Sequence, residues 1–266
     1  MKSRRTFIKR MSLAGSAGAL VPGVLSANED STQPTSTMRN ENAPKVLFFD
    51  VNESLLDLAA IKSSIGKALN GREDLVPLWF TTMLQYSLVS TTARHYADFG
   101  AIGMATLKMV AANNGIELSD DDAKAAVSPI KSLPAHSEVK EALALIKKAG
   151  YRMISLTNSS NAGVAAQFEN AGLTDFFDQR LSVEDIGKFK PHTDVYDWAA
   201  RKVGVKPEEC MMIAAHGWDI AGALWANWRG AFIARPGQQL YPLAPLPEIN
   251  EPDLLKIANR LVALKR

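Results

Sequence analysis

Val46-Leu47-Phe48-Phe49-Asp50 is an unbroken apolar run that stops on an acid. A run this short, apolar at every position rather than at alternate ones, suits a strand with both faces covered, as in a parallel sheet flanked by helices. Similar runs recur at 152–156, 211–215 and 231–234, and helical patterns separate them. Val139, Leu143 and Ile146 form one apolar stripe that closes at Gly150, a residue suited to a helix C-cap. Further helical stretches cover 163–170, 195–203 and 220–228. Strands alternating with helices predict an α/β domain on a parallel sheet.

Outward from this frame, the stretch 58–132 differs. It holds no convincing strand and several amphipathic helical segments, including 75–88 and 96–112, and it interrupts the alternation after the first strand. It is read as a helical cap inserted into a Rossmann-like core made of 44–57 and 133–266. Near the C-terminus, 242–252 reads as a proline-rich loop before a last amphipathic helix, 254–264. The 266 residues, 47% hydrophobic and 22% charged, exclude a disordered chain, a collagen-like repeat and a disulfide scaffold.

The formal net charge is +2, but its distribution is uneven. Lys2, Arg4, Arg5, Lys9 and Arg10 supply +5 within the first 27 residues, which contain no acid, so 28–266 carry −3. That body has no basic patch dense enough for nucleic acid. Ser3-Arg4-Arg5-Thr6-Phe7-Ile8-Lys9 followed by a weakly apolar Gly/Ala/Ser-rich stretch resembles a twin-arginine export signal over 1–27. The resemblance implies recognition by the twin-arginine export machinery, export of the folded chain and periplasmic residence. Residues 28–43 are polar and read as a flexible tether. The lone Cys210 cannot form an internal disulfide, and its apolar neighbours favour a buried structural thiol.

Ligands of open α/β sheets bind beyond the carboxyl ends of the strands. Asp50 follows the first run, Thr157-Asn158 the second and His216-Gly217-Trp218-Asp219 the third, with Lys190-Pro191 in the preceding loop. Singly, each has an ordinary reading: Asp50, Thr157, Asn158 and Asp219 as caps, Lys190 as a solvated lysine. Their convergence on one edge is what points to chemistry.

This order resembles the haloacid dehalogenase superfamily, and within it the type II (S)-2-haloacid dehalogenases. The resemblance rests on Phe49-Asp50-Val51-Asn52-Glu53-Ser54-Leu55-Leu56-Asp57, Leu156-Thr157-Asn158, Lys190-Pro191-His192-Thr193-Asp194-Val195-Tyr196 and Ala215-His216-Gly217-Trp218-Asp219-Ile220-Ala221-Gly222-Ala223. It implies Asp50 as the nucleophile, Ser54 and Thr157 as its hydroxyl partners, and Lys190 as the cation that keeps it ionised. Asn158 and Trp218 would cradle the halide, Tyr196 would support Lys190, and Asp219 would position or activate water. The implied reaction turns short (S)-2-haloalkanoic acids or haloacetates into 2-hydroxy acids through an ester on Asp50, with no cofactor and no metal. A carboxylate of ordinary pKa is already ionised at neutral pH, and a halide needs hydrogen-bond donors rather than a general acid to depart. Dimers occur among the similar enzymes, so a homodimer is expected.

Two alternatives stay open on the residues. A magnesium-dependent phosphatase or other small-molecule hydrolase of the superfamily is disfavoured by Asn52, which stands where such phosphatases carry a second Asp as general acid. An exported non-catalytic binding protein is suggested by the departures from the dehalogenase pattern. The similar enzymes have an arginine just after a cap tryptophan, whereas Trp79 is followed here by Phe80; Arg94 or His95 is then a candidate replacement. His216 stands where asparagine is usual, and beside Asp219 it is a candidate for water activation or for the halide side of the site. Phe80 and His216 therefore join the candidate substrate-binding residues. Glu53 and Asp57 read as loop or hinge residues, and Trp225 and Trp228, spaced helically with Ile220 and Leu224, read as core. His95, His136, His192 and His216 show no i, i+4 pair suited to a metal.

Overall fold

The structure, a computed structural model, describes residues 43–265; the export signal expected over 1–27, and all but the last residue of the tether, lie outside them. Strand β1, Val46–Phe49, is buried at every position. It pairs in parallel with β2 (Arg152–Thr157) on one side and β4 (Cys210–Ala214) on the other, with Phe48 opposite Ile154 and Met212. Being central and covered on both faces is why β1 is apolar throughout. The strands of the described residues form one six-stranded sheet in the order β3-β2-β1-β4-β5-β6, with β3 at Gln179–Ser182, β5 at Arg229–Ile233 and β6 at Ile249–Glu251.

The chain runs from β1 outward through β2 and β3, then returns to the other side of β1 with β4. That reversal puts a crevice between the carboxyl ends of β1 and β4, where Asp50 and His216 emerge. Strands β3 and β6 were not legible as apolar runs. Gln179 and Arg180 of β3 are exposed, and β6 is a three-residue strand inside the stretch expected to be a proline-rich loop. Both are edge strands, which need no continuous apolar run.

Between β1 and β2 the chain forms α1 (Ala59–Ala68), α2 (Val76–Thr92), α3 (Phe99–Asn113) and α4 (Asp120–Val127), then α5 (Val139–Lys148) leads into β2. No strand interrupts α1 to α4 among the described residues. Asp98 caps α3 by accepting from the backbone N–H of Gly100 and Ala101, and Ser119 caps α4 through Asp122 N–H. Helix α2 packs on α3, burying Trp79, Met83 and Ser87, and the Trp79 indole N–H donates to Gly103 O at 2.8 Å.

Helices α6 (Asn161–Ala171), α7 (Thr193–Val203), α8 (Gly217–Trp225) and α9 (Leu254–Leu264) complete the core. Helix α6 is capped by Ser160, not by Thr157 or Asn158, which leaves those two to other work. Cys210 is buried in β4, and burial pushes its thiol up to about 12, as a structural thiol requires. Trp228 is fully buried against Phe48, but Trp225 is 53% exposed, edge-on to Tyr241. The expectation of core packing thus fails for Trp225: α8 ends on it and presents it to the surface. No helix among the described residues is long and apolar enough to cross a membrane.

Candidate active site

Asp50 leaves β1 with its N–H still in the ladder, donating to Ile213 O at 3.0 Å. The loop that follows folds back on itself: Leu55 and Leu56 N–H donate to Val51 O, and Glu53 N–H to Leu56 O. This turn needs Glu53 at φ +65°, a left-handed conformation that few non-glycine residues adopt. The turn brings Ser54 back under Asp50. Its Oγ accepts from Ala215 N–H at 2.8 Å and so must donate to Asp50 Oδ2, at 2.6 Å. Arg235, itself paired with Glu138 at 2.8 Å, donates to the main-chain oxygen of Ser54 at 2.8 and 3.2 Å and fixes the loop from below.

Lys190 arrives from the loop before α7 and is 1% exposed. Its ammonium has three hydrogens and meets three acceptors: Asp50 Oδ1 at 2.9 Å, Asp219 Oδ2 at 2.6 Å and Leu156 O at 2.7 Å. Asp219, in the first turn of α8, has its other oxygen, Oδ1, taken by the Tyr196 hydroxyl at 2.7 Å. Gly222, one turn further along α8, permits this, since a Cβ there would lie 2.5 Å from Pro191 Cβ and 2.6 Å from Tyr196 Oη. The Lys190 backbone N–H donates to Asn158 Oδ1 at 3.0 Å, which leaves the amide end of Asn158 as its free donor.

His216 lies between two carboxylates. Its Nδ1 is 3.1 Å from Asp50 Oδ2 and its Nε2 is 3.0 Å from Glu53 Oε2. The ring is stacked on one side by Phe80 (centroids 6.0 Å, planes at 22°) and is also stacked with Trp218 (5.1 Å, 22°). Lys190 Nζ lies 5.9 Å from the Trp218 ring.

The electrostatics follow from burial working against pairing. Burial alone would raise the Asp50 carboxyl, but the Lys190 cation, His216 and the Ser54 hydroxyl together hold it well below the usual carboxylate range. Asp219 moves the other way: burial and the charge of Asp50 raise it against the pull of Lys190. Burial would lower Lys190, yet Asp219 and Asp50 raise it, so it stays a cation. His216 follows the same logic: burial would lower it, but bonds to Asp50 and Glu53 raise it to about 9. His136, whose Nε2 donates to Glu53 O at 2.9 Å, is lowered by burial and Arg235.

Of the residues expected at the site, Asp50, Ser54, Lys190, Asp219, Tyr196, Asn158, Trp218, His216 and Phe80 are joined in this one network of bonds and ring contacts. Thr157 is the exception. Its Oγ1 accepts from Ser159 N–H at 3.1 Å and makes no bond to Asp50 among the described residues. His216 faces Asp50 and Glu53 rather than Asp219, and as a cation it is a donor, not a base. Arg94 and His95 are exposed beyond the end of α2, and no bond joins their side chains to these residues among the described residues. Asn52 is tied into the loop by Ser159 Oγ (3.1 Å) and Gln167 Nε2 (2.8 Å). Sequence reasoning missed Glu53, whose left-handed turn has no local signature, and Arg235, which acts through a main-chain oxygen.

A family profile for haloacid dehalogenase-like hydrolases matches residues 44–227. The (S)-2-haloacid dehalogenase of Pseudomonas sp. (strain YL) is 25% identical over 205 residues, 77% of this chain and 88% of that protein. The (S)-2-haloacid dehalogenase of Xanthobacter autotrophicus is 29% identical over 199 residues, 73% of this chain and 77% of that protein. The solved L-2-haloacid dehalogenase from Xanthobacter autotrophicus superposes with TM-score 0.77 at 25% identity, covering 83% of this chain and 98% of that one. A second structure from that organism, at 24% identity, holds chloropropionic acid covalently bound and has the same fold. With its parallel sheet, its helices between β1 and β2 and its strand-end carboxylates, the chain belongs to the haloacid dehalogenase-like hydrolase family.

Proposed function

We propose that the chain is a hydrolytic dehalogenase that converts short (S)-2-haloalkanoic acids or haloacetates to 2-hydroxy acids through an ester on Asp50. The observation that carries this reading is the state of Asp50, a carboxylate buried yet held ionised at the end of the central strand, with Oδ1 bonded by the Lys190 ammonium. An ionised carboxylate needs no base before it attacks. It displaces the halide from the carbon in line, the carbon–halogen bond breaks with both electrons leaving on the halide, and that carbon is inverted once. The amide of Asn158 and the indole of Trp218 are the donors assigned to the halide. Asp219, with both oxygens accepting from Lys190 and Tyr196, acts by aiming Lys190. Water then adds to the ester carbon of Asp50 and releases the hydroxy acid.

Residues 58–132, helices α1 to α4, are assigned as the cap, with Phe80 the side chain it lays over the site. The leader 1–27 is assigned to twin-arginine export and the protein to the periplasm, on the S-R-R-x-F-x-K pattern and the excess of positive charge in that segment over a net negative body. A homodimer belongs to the same reading; exposed Leu78, Tyr86 and Val89 give α2 apolar surface for it.

The deciding experiment incubates residues 28–266 with a panel of 2-haloacids and haloacetates, with and without EDTA, and measures free halide beside an Asp50→Ala control. Halide release that survives EDTA and disappears in the control is expected. Magnesium-dependent phosphate release would support a phosphatase instead, and silence on both panels a binding protein. Replacing Arg4 and Arg5 by lysine in the full chain, followed by cell fractionation, tests the export assignment.

A further inference from the structure

His216 offers no N–H to a halide, because both ring nitrogens are engaged within the protein. A neutral imidazole has one N–H, and between Asp50 Oδ2 and Glu53 Oε2 it would aim a lone pair at one of two anionic oxygens; the geometry therefore demands the doubly protonated ring. Burial is outweighed by these two partners, and His216, raised to about 9, is a cation at neutral pH. The two oxygens of Asp50 are also unequal. Among the described residues Oδ1 accepts from Lys190 only, whereas Oδ2 accepts from Ser54 Oγ at 2.6 Å and from His216 Nδ1 at 3.1 Å.

We infer that Oδ1 is the oxygen that takes the substrate, that Oδ2 becomes the acyl oxygen of the ester, and that Ser54 and His216 form its oxyanion hole, with Glu53 aiming the imidazolium. This deepens the dehalogenase reading above and rests on it. When water adds to Cγ, the carbonyl electron pair moves onto Oδ2, where two fixed donors, one of them charged, meet the new negative charge. On collapse the bond from Cγ to the substrate-bearing oxygen breaks. One water proton ends on the product hydroxyl and the other passes to solvent as Asp50 returns to its carboxylate. The pair is rigidly built. Glu53 is locked by its left-handed backbone, by Leu56 O on its N–H and by His136 on its carbonyl, and the His216 plane is fixed by the rings of Phe80 and Trp218. Glu53 touches no reacting atom and is a positioning residue.

The test separates the two half-reactions. With the wild-type protein and a 2-haloacid that it turns over, single-turnover halide release and 2-hydroxy acid formation are followed beside the intact mass of the enzyme. In His216→Leu, halide release is expected to slow less than tenfold, while ester hydrolysis slows about 10²–10³-fold, the effect of losing one oxyanion donor. The enzyme then gains the mass of the acid less hydrogen halide. His216→Asn, which keeps a donor without the charge, should recover part of the lost rate. Glu53→Gln should fold, keep the halide burst and move the alkaline limb of ester hydrolysis to lower pH. If a folded His216→Leu or Glu53→Gln enzyme slows both steps equally and accumulates no adduct, the inference is overturned. If the wild-type protein releases no halide from any haloacid, the dehalogenase reading itself fails and this one with it.

Discussion

Thr91, in the last turn of α2, accepts a hydrogen bond at 3.0 Å from the backbone N–H of Phe189, the residue next to Lys190. The Phe189 ring is packed between Tyr96 (5.4 Å) and Phe99 (5.7 Å), on either side of the α3 cap. The helices inserted after β1 thus hold the loop that carries the Lys190 ammonium. Thr91→Val keeps the shape but strands a buried N–H, a loss of about 1–3 kcal/mol that urea unfolding would measure. Halide release should fall with it, since Lys190 is freed to move; unchanged stability and activity would refute the clamp.

Lys190 is the hub between two buried carboxylates. Lys190→Met should destabilise the fold by about 3–5 kcal/mol, because removing one partner of a buried pair leaves uncompensated charge. Asp50 should then hold its proton more tightly, and single-turnover halide release at pH 7 should fall sharply. Substantial activity in this variant would remove Lys190 from the mechanism.

The pH dependence has two edges with opposite signs. Asp50 is held below its ordinary 3.8, so its contribution to stability is present above that value and is lost as pH falls through the lower folded value. His216 is raised from 6.5 to about 9, so its contribution is complete below 6.5 and is lost as pH rises through about 9. The groups facing the His216 ring are Asp50, Glu53, Phe80 and Trp218, and only the two carboxylates carry charge. Thermal unfolding followed across the alkaline range should show Tm falling near pH 9 in the wild-type protein and a smaller fall there in His216→Asn.

Phe80 occupies the place where similar enzymes carry arginine, and here it covers an imidazolium. Phe80→Arg sets one cation over another, so the alkaline limb of haloacid turnover should shift below pH 9 as His216 loses its proton more readily. A limb that stays in place would show that Phe80 does not sense the charge of His216.

Gly222 lets α8, which carries Asp219, pack closely against Pro191 and the Tyr196 hydroxyl. Gly222→Ala would bring a methyl group within 2.6 Å of Tyr196 Oη, at a cost of about 1–3 kcal/mol from overpacking. Denaturant unfolding reads this cost. Activity should fall further than stability explains, since displacing Tyr196 releases one oxygen of Asp219.

What the sequence determined by itself was the frame and the central chemistry. The run 46–49 is apolar at every position because its strand is covered on both faces, and the acids and lysine in the segments that follow such strands had to meet at one edge of a parallel sheet. The edge strands β3 and β6 stayed hidden because a half-exposed strand can be polar and short. Only the tertiary structure decided the partners of Asp50. Glu53 enters the site through a left-handed turn that no local residue pattern announces, Thr157 accepts from the backbone of its own turn and not from the site, and His216 becomes a cation only because the order of the strands sets it between two carboxylates. Charge state and hydrogen-bond direction belong to the assembled surroundings, and those surroundings come from segments more than a hundred residues apart.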